Sequence, residues 1–174
     1  TGNTAGAIYV CYAPCLLEKS IFVNNSGYSS AIYWCVYGGG RISNSIFLNN
    51  YGQYLIDYYD YYSGQYKVNA YHNWFGSTNS EKPTGINGII MNNWLYLDMD
   101  VNDIDGVATV SLNNLNNGEK YQSYALPEFT FDLSAINATL DKTNVTIGST
   151  GENTVNYDMK QPKGSLTVSS DDES

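Results

Sequence analysis

The sequence predicts an all-β chain in two parts, a short parallel β-solenoid followed by an antiparallel sandwich. Three observations predict it. The first 91 residues repeat with a period of about 24, the rest alternate apolar and polar residues, and the composition favours strands and turns. Charged residues make up only 14% of the chain, while 17 tyrosines and 21 asparagines crowd it. Tyr is a strand former and Asn a turn former, and an aromatic share of 14% argues against disorder.

The repeat is carried by two motifs. Gly6-Ala7-Ile8-Tyr9 returns 24 residues later as Ser30-Ala31-Ile32-Tyr33, and Leu55-Ile56-Asp57-Tyr58 falls 24 after Ala31-Ile32-Tyr33-Trp34. Ser20-Ile21-Phe22-Val23-Asn24-Asn25 returns 25 later as Ser45-Ile46-Phe47-Leu48-Asn49-Asn50. A third, weaker copy puts Asn73 in line with Asn24 and Asn49, Tyr71 with Phe22 and Phe47, and His72 with Leu48. Such a period is too short for a propeller blade or a helix pair and fits one coil of a β-helix. Coils stack about 4.8 Å apart, so equivalent side chains form columns. Ile21/Ile46 is expected to fill the lumen, and the Asn column to bond from coil to coil. Three coils span only about 15 Å, so further coils are expected before Thr1, and the chain reads as a piece of a longer protein.

From Asn93 the period becomes two. Leu95, Leu97, Met99 and Val101 alternate with polar residues, as do Ala108, Val110 and Leu112, then Phe129, Phe131 and Leu133. Leu140, Val145 and Ile147, then Val155, Tyr157 and Met159, then Leu166 and Val168 continue the pattern between Gly- and Asn-rich turns. Six or seven strands at this spacing match an immunoglobulin-like β-sandwich over 93–174, after β-helix coils over 1–92. Charge divides at the same place. Residues 1–91 carry four acids and four bases, so residues 92–174 carry the whole net charge of −9. An acidic chain repels phosphate backbones, which excludes nucleic acid as a partner. No 18-residue apolar run exists to span a membrane. The acidic Asp171-Asp172-Glu173 reads as the start of a linker.

Three motifs, the coil-opening Gly6–Tyr9, the coil-closing Ser45–Asn50 and the Asn73-Trp74-Phe75-Gly76 element, precede a loop around Pro83 and an Asn93-Trp94-Leu95 strand. In this order they resemble the adhesin-like surface proteins of methanogenic archaea. The resemblance implies a right-handed β-helix joined to immunoglobulin-like modules. It also implies an extracellular, cell-surface role in attachment, with a glycan or a surface protein of another cell as partner. The tyrosine richness and the cysteines depart from the usual form.

Candidate binding residues come from the tyrosine cluster between Tyr51 and Tyr71. Tyr58, Tyr59, Tyr61 and Tyr62 are expected to face outward and stack on sugar rings, with Asp57 and Asp60 accepting hydroxyls. Packing of the same rings within the protein, giving a purely structural spacer, is the competing reading. A polysaccharide-processing enzyme is a third reading, since an inverting glycosidase needs two carboxylates roughly 6.5–9.5 Å apart. Only Glu18, Asp57, Asp60 and Glu81 are available before residue 92, and Glu18 and Glu81 each adjoin a Lys. No catalytic residue and no cofactor is assigned. His72 stands alone as a structural histidine. Asp98, Asp100, Asn102, Asp103 and Asp105 suggest calcium, but Val101 occupies the position where an EF-hand-type loop needs its first oxygen. Cys11 and Cys35 lie 24 apart and so share a column, either bonded or as buried thiols, the latter favoured by the poor fit of a disulfide to neighbouring parallel strands. Cys15 has no evident partner. Asn24, Asn137 and Asn144 begin N-x-S/T sequences, of which Asn137 and Asn144 are the candidate glycosylation sites.

Overall fold

The computed structural model describes residues 6–35, 39–60, 65–121, 126–160 and 164–170. All regular structure among them is β, and no helix is long and apolar enough to cross a membrane. Strands β1 (Ile8–Cys11), β2 (Cys15–Glu18) and β3 (Ile21–Val23) make the first turn of a solenoid. Strands β4 (Ser29–Cys35), β5 (Gly40–Ser43) and β6 (Ile46–Leu48) make the second, and β7 (Tyr54–Tyr59), β8 (Val68–Tyr71) and β9 (Asn73–Trp74) the third. Two-residue strands β10 (Ile86–Asn87) and β11 (Ile90–Met91) add a short further step. Every pairing between turns is parallel, in three sheets that share the coil direction.

The expected register holds where the repeat is strict. Ile8, Ile32, Ile56 and Ile86 stand in one column, and Tyr9, Tyr33, Asp57 and Asn87 in the next. The lumen is closed by Val10, Ile32, Trp34, Ile42, Phe47, Ile56, Tyr58 and Val68, all buried. Phe22, Phe47 and Phe75 stack through it with ring centroids 4.7 and 5.1 Å apart.

Three sequence expectations are corrected here. Ile21 and Ile46 do not fill the lumen, because in a strand whose Phe faces inward the neighbouring Ile must face outward. Asn73 is not in the Asn24/Asn49 column. The link between β7 and β8 has eight residues where that between β4 and β5 has four, so the offset grows from 24 to 28. Asn73 therefore stands with Ser20 and Ser45, and His72 with Lys19 and Asn44, all three at positive φ (51°, 53° and 54°). The coil-to-coil amide ladder is made by Asn25 and Asn50 instead, while Asn24 and Asn49 turn the corner at φ 55° and 49°. Finally, Cys11 and Cys35 are bonded to each other rather than being separate thiols. Their Cα atoms are 4.9 Å apart, inside the usual disulfide range of roughly 4.4–6.8 Å. Cys15 is free and half-buried against the lumen cluster.

β12 (Trp94–Asn102) leaves the solenoid without leaving its sheet. Leu95 pairs with Trp74 of β9 on one side and with Leu115 of β13 (Val107–Leu115) on the other. The third solenoid sheet thus continues as β3-β6-β9-β12-β13-β17-β15, with β15 (Ala138–Leu140) and β17 (Glu152–Met159). A three-stranded antiparallel sheet of β14 (Phe129–Ile136), β16 (Asn144–Ile147) and β18 (Ser165–Ser169) completes this part. Most of the alternating residues read from the sequence line its core: Leu95, Leu97, Ala108, Val110, Leu112, Phe131, Val145, Ile147 and Val155 are buried together, while Val101 and Met159, toward the strand ends, are exposed. Ile46, Leu48 and Trp74 join them from the outer face of the solenoid, and the Trp74 ring lies edge-on to Phe131 at 5.3 Å. The Ile-Phe pairs of the repeat are explained by this. Strand β6 is apolar on both faces because both are covered, whereas Ile21 of the first coil stays exposed.

Candidate functional site

The outer face of the first sheet (β1-β4-β7-β10) gathers aromatic rings around one carboxylate. Side chains at i and i+2 share a face and residues in register stack, so Tyr9, Tyr33 and Asp57 follow one another up a column with Tyr59 beside Asp57. The Tyr9 and Tyr33 rings stack at 5.3 Å with 25° between planes. Tyr28 and Tyr54, at the start of the same strands, meet edge-on at 5.5 Å. Tyr9, Tyr28 and Tyr59 are 68, 61 and 54% exposed. Beneath them Asp57 is buried, accepting hydrogen bonds from Asn87 Nδ2 at 2.8 Å and, more weakly, from Ser29 Oγ at 3.5 Å. Partial desolvation, then Tyr54 and the Asp57 charge, raise the pKa of the Tyr28 hydroxyl. Partial desolvation followed by Asp57, Tyr9, Tyr59 and Tyr28 raises that of Tyr33. The Tyr9 hydroxyl lies 3.4 Å from Cys35 Sγ and 3.8 Å from Cys11 Sγ, so the disulfide underlies the edge of the same face.

Sequence reasoning placed some of these residues and misplaced others. Tyr59 is exposed as expected. Tyr58 faces the lumen, because it alternates with Asp57 and Tyr59, and its hydroxyl donates to the Tyr66 carbonyl at 3.0 Å. Desolvation, followed by Asp60 and Tyr66, raises its pKa. Asp57 supports the face from below rather than from its surface. Asp60 is half-buried just beyond β7. Tyr61 and Tyr62 lie outside the described residues. Tyr9, Tyr28 and Tyr33 were not singled out, although the period of 24 that aligns Tyr9, Tyr33 and Asp57 was the signal that finds two of them.

No protein-family model, curated protein or solved structure matches the chain.

The remaining candidates lie elsewhere. Glu18 is paired not with the adjacent Lys19 but with Arg41 and with Ser43 Oγ, both on the next coil. His72 is half-buried against the Tyr121 ring, 4.4 Å between centroids, and burial lowers its pKa. Asp103 accepts the Tyr157 hydroxyl at 2.6 Å, and Asp105 accepts Asn102 Nδ2 at 2.7 Å, in the turn after β12. Asp98 accepts from Asn114 Nδ2 and Glu152 from Asn113 Nδ2, at 2.8 and 3.0 Å, beside a bulge between β12 and β13. Among the described residues, no group of three or more His, Cys, Asp or Glu is placed to hold a metal ion. Asn137 and Asn144 are exposed on the antiparallel part, and Asn24 is half-buried.

Proposed function

We propose that this chain is a non-catalytic binding module that takes a glycan on the outer face of the first solenoid sheet. The observation that carries this reading is the set of exposed tyrosines, Tyr9, Tyr28 and Tyr59, standing with Tyr33 about Asp57. Exposed aromatic faces contact the apolar faces of sugar rings, and phenol hydroxyls and the Asn87 amide supply hydrogen bonds. One such face binds weakly, and many copies displayed together bind firmly. In this reading the chain is an adhesin fragment at an extracellular cell surface, its solenoid right-handed, and its antiparallel part an immunoglobulin-like spacer that presents the solenoid.

Incubation with a panel of cell-wall and host polysaccharides, reading both retention and new reducing ends, tests it. Retention without cleavage is expected, lost in Tyr33→Ala and Tyr59→Ala. Release of reducing ends would make the chain an enzyme instead. Retention unchanged in both variants would move the site off this face.

A further inference from the structure

The first-sheet face carries negative potential without a counter-charge. Asp57 is buried, and both groups that bond it, the Asn87 amide and the Ser29 hydroxyl, are neutral. Among the described residues no Lys, Arg or His nitrogen comes within 4.0 Å of its carboxylate. The basic side chain of the neighbouring turn, Arg41, is held by Glu18 on a different sheet. A buried carboxylate that lacks a cation is costly, and two neutral donors offset only part of that cost. The surrounding groups add to the field, since tyrosine rings present negative faces. Tyr33 is next to Asp57 in register, and Tyr59 follows two residues along the same strand. A neutral sugar meets the rings but leaves the charge unanswered, and an anionic one is repelled by it. An ammonium group satisfies both, through cation–π contact with the rings and attraction to the carboxylate.

We propose that the glycan taken by this face carries a protonated amine, seated beside Asp57 among Tyr28, Tyr33 and Tyr59: an amino sugar. The inference rests on the glycan-binding reading above. A sugar is preferred to a lysine side chain because the exposed rings of Tyr9, Tyr28 and Tyr59 stand on three successive coils, a wider surface than one alkyl chain covers.

Two oligosaccharides that differ only in the amine test this, a glucosamine oligomer and its N-acetylated counterpart, titrated by calorimetry at about pH 6, where the amine is protonated. Oligolysine is titrated alongside. The free-amine sugar is expected to bind at least about tenfold more tightly than the N-acetylated one, with the advantage shrinking as salt is added. Asp57→Asn, which keeps the shape and can still accept from Asn87, removes the advantage. Tyr28→Leu, at an exposed position, weakens binding of the free-amine sugar more than that of the N-acetylated one. Equal binding of the two sugars overturns the inference while the glycan reading stands. Oligolysine binding as tightly as the amino sugar overturns the sugar assignment. Binding of neither sugar also overturns the inference, and the glycan reading falls with it only if the polysaccharide panel is not retained either.

Discussion

Asn25 and Asn50 occupy the same place on successive coils, and one amide rests on the other. Asn25 Nδ2 and the Asn25 backbone N–H both donate to Asn50 Oδ1, at 2.9 and 3.1 Å. Asn50 Nδ2 in turn donates to the carbonyls of Phe22 and Leu48 at 2.9 and 3.0 Å. Asn50→Ala therefore strands several part-buried groups at once. Its expected cost is about 1–3 kcal/mol, read as a lower denaturation midpoint with an unchanged slope.

The Cys11–Cys35 bond closes a loop of 24 residues across two coils. Loop-closure entropy puts its contribution near 3 kcal/mol. Chemical denaturation with and without reductant should differ by about that amount. The Cys11→Ser/Cys35→Ser double variant should match the reduced protein and no longer respond to reductant.

Gly40 lies where two coils touch. A Cβ there would meet the Cys15 carbonyl oxygen at 2.1 Å and the Trp34 ring at 2.8 Å. The carbonyl belongs to a parallel ladder and Trp34 is fully buried, so neither gives way cheaply. Gly40→Ala should destabilise by about 1–3 kcal/mol, whereas Gly118→Ala, with open space around it but a positive φ, should cost less. Thermal melts of the two variants compare them.

Burial disfavours the charged form of His72 and lowers its folded pKa from 6.5. The unfolded chain then binds a proton that the folded one does not, so stability from this group is complete above about pH 6.5 and falls as pH drops toward the lowered folded value. His72→Asn suits the positive φ of 54° and removes the titration. Its stability should be flatter than that of the parent as pH falls below about 6.5, measured by denaturant midpoints.

Tyr157 titrates in the opposite sense. Its hydrogen bond to Asp103, then desolvation and the Asp103 charge, push its pKa up to about 12. A raised folded value means that stability is present below about pH 10 and is lost as pH rises through 12. A phenolate absorbance titration should include a component near 12, which Tyr157→Phe deletes and Asp103→Asn moves to lower pH.

Much of the architecture was legible because a solenoid writes its geometry as a period. The strict spacing of 24 gave the true register for Ile8, Ile32 and Ile56, and two-residue alternation picked out the core of the antiparallel part down to Phe131 and Val145. What misled was local. Four extra residues between β7 and β8 shift everything after them, so Asn73 and His72 align with Ser45 and Asn44 rather than Asn49 and Leu48. Facing was also hidden where both sides of a strand are apolar, as at Ile46 and Phe47. The site was half legible. Tyr59 and Asp57 were in view, but a cluster read along the chain counted Tyr58, which alternation turns inward, and overlooked Tyr33 and Tyr9, which lie one and two coils away.

Leu95 pairs on both sides, so solenoid and antiparallel part share an unbroken ladder of backbone hydrogen bonds. A load passing from one to the other meets no hinge. It is carried by neighbouring strands resisting in shear, and by Trp74 wedged against Phe131 on the covered face. A pull applied to the described strands of the one part would thus reach the other through backbone pairing and shared core together.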